Sequence, residues 1–183
     1  MGAELGNLTL GGGDLYLNNV NVGSLKGDVE FNYVGELKEY KSQLSLGTIK
    51  VFRFGESASL KATIAEISTA NFKIALGVTD SALSSSSWPA YDPTSYVEGS
   101  GSFDIMKFGG SKTVNTTSLR FEHTIPGTSN KVIIILYSCY PSCNWTLPFK
   151  EEDVTLQDIE FKALAVDTRD AGDQIGFVAR QVL

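Results

Sequence analysis

Along most of the chain apolar and polar positions alternate with a period of two, the spacing of strands that cover one face. Residues 15–22 alternate around Asn18-Asn19, a pair that tolerates positive φ, so they predict a tight hairpin. Leu25, Val29, Phe31 and Tyr33 then share one side of a longer strand, and Lys26, Asp28, Glu30 and Asn32 share the other, which the pattern assigns to water. Residues 36–45 are charged without strong periodicity and lead into a strand over 48–54, giving a long hairpin with a mobile tip. Next, Ala58, Leu60, Ala62 and Ile64 alternate with Ser59, Lys61, Thr63 and Ala65 as a further strand. There the rhythm turns helical. Ser68 is placed to cap a helix over residues 70–76, Ile67 to staple onto Phe72, and Gly77 to end the helix; Phe72, Ala75 and Leu76 form its apolar stripe.

Residues 77–102 differ, with a serine run at 84–87 followed by Trp88, Pro89, Tyr91, Pro93 and Tyr96. Proline and serine argue against regular structure, and the aromatic residues suit a subunit contact better than disorder. Residues 103–108 and 114–125 predict a hairpin around Gly109-Gly110, with Leu119, Phe121, His123 and Ile125 on one face. Residues 131–139 are apolar on both sides, as in a central or interfacial strand. In 154–166 the apolar phase moves from Val154 and Leu156 to Ile159, Phe161, Ala163 and Ala165, which predicts a bulge near Gln157-Asp158. A last strand spans 175–182. The expected fold is therefore mainly β, a β-sandwich or barrel with one short α-helix.

Composition narrows the function. The 183 residues suit one domain, taken as 14–183 after a flexible N-terminal arm at 1–13, and 18 glycines imply many turns. A net charge of −6 disfavours a protein that grips phosphates, which takes clustered Lys and Arg. No apolar run reaches the length of a membrane span, and the first residues lack the basic and apolar regions of a secretory signal, so the chain is expected to be soluble.

Candidate chemistry is sparse. The single histidine, His123, falls on the apolar side of its strand, as a packed or hydrogen-bonded residue would. Cys139 and Cys143 frame Tyr-Pro-Ser, a spacing that matches neither a zinc knuckle nor a redox pair; both a disulfide across the Pro141 turn and two passive thiols fit it. Gly109-Gly110-Ser111-Lys112-Thr113 lacks the Gly-Lys-Ser/Thr order of a phosphate loop and links strands. Asp167, Asp170 and Asp173 lack the alternating spacing of a calcium loop. Neither a catalytic constellation nor a cofactor or metal site is expected, and the chain does not read as an enzyme.

Two stretches carry a resemblance. The run Leu15-Tyr16-Leu17-Asn18-Asn19-Val20-Asn21-Val22-Gly23-Ser24-Leu25-Lys26-Gly27-Asp28-Val29-Glu30-Phe31, the strand from Ala62 to Glu66, and Ala75-Leu76-Gly77 resemble the tail tube proteins of tailed bacteriophages in kind and order. The likeness thins out after Gly77. It implies homo-hexameric rings whose subunits lend strands to one inner β-barrel, stacked into a conduit through which DNA passes without specific binding. It also implies tape-measure and baseplate partners, a sheath where the tail is contractile, and a place in the virion tail after assembly in the host cytoplasm. Acidic lining would repel phosphate, and Asp28 and Glu30 are the lumen candidates. Glu36, Lys38 and Glu39 at the hairpin tip, with Trp88, Tyr91 and Tyr96, are candidates for ring stacking or subunit contact. Two alternatives stay open: the hexameric tube of a type VI or other contractile injection system, and a carbohydrate-binding sandwich using Trp88, Tyr91, Tyr96 and Trp145.

Overall fold

The structure is a computed structural model and describes residues 12–23, 25–41, 47–65, 83–87, 102–106, 113–142 and 157–181. The fold is mainly β. Among the described residues there are ten strands: β1 (Asp14–Leu17), β2 (Val20–Asn21), β3 (Glu30–Lys41), β4 (Thr48–Ile64), β5 (Leu83–Ser87), β6 (Ser102–Met106), β7 (Thr117–Thr124), β8 (Lys131–Pro141), β9 (Gln157–Ala163) and β10 (Gly176–Arg180). Eight of them form one antiparallel sheet in the order β2-β1-β7-β8-β9-β4-β3, with β10 also on β8; β5 and β6 pair only with each other. The sheet does not close among the described residues. β8 is its hub, since one edge holds β7 while the other is shared by β10 over Val132 to Leu136 and by β9 over Cys139 to Pro141.

The tight hairpin forms as the asparagine pair predicts, with Asn18 and Asn19 at φ 49° and 64°. Alternation then places Leu15 and Leu17, Ala58 to Ile64 at every second residue, Leu119 and Phe121, Ile134 and Leu136, and Ile159 and Phe161 on one face. These residues belong to a single buried cluster with Val22 and Cys139, so the sheet bends around its own apolar face. Val22 is buried with the cluster and Leu25 and Val29 pack against it; Leu25 bridges Ile64, and the Lys26 amide donates to the Thr63 carbonyl at 2.9 Å. The β2–β3 connection thus ties one end of the strand path to the other. Each large side chain buried here contributes roughly 1.5–3 kcal/mol.

Four expectations are corrected or refined. Residues 103–106 of the expected 103–108/114–125 hairpin do not pair with its second arm among the described residues: Ser102–Met106 pairs with Leu83–Ser87, while β7 sits between β1 and β8. The serine run at 84–87 is a strand, because serine leaves the backbone free to take whatever ladder a partner offers. Residues 48–54 and 58–64 are one strand of 17 residues, and β3 stays paired with it to Lys41 through two register shifts. β8 is buried on one face and half-buried on the other rather than covered equally on both. The helix expected over 70–76, Val154 and Leu156 lie outside the described residues, as do residues 1–11 of the expected arm.

A candidate assembly surface

The β3–β4 pair behaves as two different structures. From Glu30↔Lys61 to Tyr33↔Ala58 it belongs to the sheet, with β9 on the far edge of β4 at Ser59 to Ile64. Beyond that point each strand has only the other as partner among the described residues. Phe54 is an extra residue on β4, because Glu36 faces Gly55 while Leu37 faces Arg53. A second irregularity at Tyr40/Lys41 leaves Ile49 unmatched. Every residue from Asn32 to Lys41 and from Thr48 to Phe54 is exposed.

This ribbon is apolar where water reaches it. Leu37 is 65% exposed and Phe54 75%, and Tyr33, Val34, Tyr40, Ile49, Val51 and Phe52 are exposed with them. Following the pairing, Leu37 and Val51 continue the core face, whereas Val34, Tyr40 and Phe52 lie on the opposite one. Charged residues punctuate both. Lys50 sits 4.9 Å above the Phe52 ring, and Thr48 donates to Glu39 at 2.9 Å.

Where ribbon meets body, Arg53 pairs with Glu56, and Tyr33 hydrogen-bonds the same carboxylate. The Arg53 guanidinium, then the Tyr33 hydroxyl, hold Glu56 below the usual carboxylate range. Loss of hydration, with Glu56 next, pushes the Tyr33 phenol up. Below them a cleft of about 750 Å³ opens between the inner face of the ribbon and β10, lined among others by Phe31, Tyr33, Phe54, Phe177 and Val178. In the turn before β10 Asp173 accepts from Tyr137, and Arg169 pairs with it at 2.6 Å while stacking 3.6 Å over the Tyr137 ring. The Tyr137 hydroxyl, then Arg169, keep Asp173 low.

Over the body, before the ribbon begins, the outer face of β3, β4 and β9 is polar. Glu30 faces Lys61, which faces Glu160, and Thr63 donates to Asp158 at 2.6 Å. Asp28 and Glu30 are exposed, and Glu30 lies on this face because Phe31 turns to the core. Glu36, Lys38 and Glu39 are all on the ribbon and exposed, whereas Trp88, Tyr91, Tyr96, Trp145 and Cys143 lie outside the described residues. Cys139 is a buried thiol that donates to the Thr117 carbonyl at 3.0 Å, and burial pushes its pKa up to about 12. His123 is buried, its Nδ1 2.7 Å from the Gly12 carbonyl, which fixes the proton on that nitrogen because a carbonyl only accepts. Among the described residues no three His, Cys, Asp or Glu side chains gather as a metal site.

No protein-family model and no curated protein sequence matches the chain. Several solved chains are similar to it, among them two from contractile injection systems. One is a chain of the PVC sheath–tube complex of an extracellular contractile injection system in its extended state, at 10% identity and a TM-score of 0.49, covering 93% of this chain and 88% of that one. The other is from the sheath/tube terminator of such a system, at 11% identity and a TM-score of 0.46, covering 92% of each chain.

The ribbon residues that sequence reading missed are Tyr33, Phe54, Glu56, Arg53 and Phe52. Their signal was present: Ile49, Val51, Phe52 and Phe54 break strict alternation, which a half-buried strand would keep.

Proposed function

We propose that this chain is a structural subunit of a tail-like tube, a protein that assembles with copies of itself and catalyses no reaction. The observation that carries this reading is the β3–β4 ribbon, whose apolar side chains are exposed on both faces. A two-stranded ribbon is marginal alone in water, and unpaired edges with apolar side chains invite further chains. Covering that surface with more of the same chain removes both costs, and repeated heterologous contacts close into rings or propagate as filaments. Stacked hexameric rings are the arrangement we put forward, with a conduit for DNA and with tape-measure, baseplate and sheath proteins as neighbours in a virion or injection particle. Asp28 and Glu30 are then the proposed lumen residues, where acid repels phosphate.

The test is assembly. Negative-stain microscopy and sedimentation of the purified chain should give rings or tubes with a central hole, and Leu37→Ser with Phe52→Ser should leave monomers of unchanged melting temperature. A wild-type chain that stays monomeric at every concentration would overturn the proposal.

A further inference from the structure

The junction between ribbon and body contains two glycines that neither space nor backbone angle requires. Gly35 and Gly55 are absent from the residues with positive φ. A Cβ on Gly35 would meet nothing nearer than 4.0 Å, and one on Gly55 nothing nearer than 3.5 Å, the Glu36 carboxylate. Both positions would accept a β-branched residue, the better strand former. They occupy consecutive rungs, Gly35↔Glu56 and Glu36↔Gly55, immediately below the extra residue Phe54. Cross-strand side-chain pairs are what stiffen a two-stranded ribbon. Here one face lacks its pair at the first rung and the other face lacks it at the second. A bulge adds a bend at the same level. The ladder is therefore weakest, on both faces at once, where the ribbon leaves the sheet.

One polar cluster spans this weak level. Arg53 lies beyond Phe54 on the ribbon, while Glu56 and Tyr33 lie below it on the body side. The cluster is exposed, so it is a weak fastening, suited to biasing an angle rather than freezing it. We propose that the ribbon is a hinged lever, with Gly35 and Gly55 as the hinge and the Arg53–Glu56–Tyr33 cluster setting its resting angle over the cleft. Such a lever lets one surface meet neighbours at more than one inclination without disturbing the buried core. The inference concerns the free chain and does not rest on the tube reading.

Spin-label distances in the isolated monomer of this 183-residue chain test it, in a Cys143→Ser background that leaves only the buried Cys139. Labels at Lys38→Cys and Lys162→Cys report ribbon against body; labels at Thr124→Cys and Lys162→Cys report the body alone. The ribbon–body distribution should be at least twice as broad as the body control. Gly35→Val with Gly55→Val should narrow it by about half, and Arg53→Met should displace its mean, while the body control stays fixed in each. A wild-type ribbon–body distribution as narrow as the control, or one that the paired valines leave unchanged, would overturn the hinge. Assembly plays no part in this readout, so failure to form rings and failure of the hinge are separate results.

Discussion

Phe161 and Phe54 are both strand phenylalanines in one sheet, yet the first is 0% exposed and the second 75%. The regions around them differ in the same way. In the body every strand of the β7-β8-β9 run has neighbours on both edges and a covered face; in the ribbon, among the described residues, each strand has one neighbour and no covered face. The lesson is that burial follows from pairing, not from residue type. An apolar residue on an unshared stretch of strand becomes a surface for something else.

Breaking the body should cost most. Phe161→Ala leaves a cavity in the cluster and should destabilise the chain by about 3–5 kcal/mol in urea unfolding. Next comes Gly176→Ala, because a Cβ there would lie 2.0 Å from the Ile135 carbonyl oxygen. Fitting it should cost about 1–3 kcal/mol and raise amide exchange selectively in β10.

A smaller effect is pH-dependent and sits at the Asp173 carboxylate. Asp173 is lowered in the folded chain, so its contribution is present above its unfolded pKa and disappears as pH falls through the folded value. As pH falls below the ordinary aspartate range the wild type should lose stability more steeply than Asp173→Asn, read as the slope of melting temperature against pH. The smallest effect on stability is expected on the ribbon: Phe52→Ser should stay within about 0.5 kcal/mol of wild type while abolishing assembly. A loss comparable to that of Phe161→Ala would erase the distinction between the regions. One reactivity test sharpens it further. Cys139, with its thiol at about 12, should not react with a thiol reagent at neutral pH until the chain unfolds.

The core was legible because half-buried strands write their period into neighbouring residues: Leu60 and Ile64, and Leu119 and Phe121, fall on one face of their strands by alternation alone. The candidate surface was legible only in outline. A long charged hairpin was evident, but charge at Glu36, Lys38 and Glu39 drew attention from the apolar residues opposite them. The bulge at Phe54 showed only as broken alternation at Val51, Phe52 and Phe54, since which residue is extra is a property of two strands in register.

By itself the sequence determined the Asn18-Asn19 turn, the period-two faces and the mainly β class, because these depend on contacts within a few residues. Tertiary structure alone decided that residues 102–106 pair with 83–87, that β4 runs unbroken past its bulge, and that Gly12 meets His123. It also decided which apolar strand segments acquire a cover. Backbone ladders form between groups common to every residue, so a partner strand is chosen by the packing of the whole sheet rather than by the residues that pair.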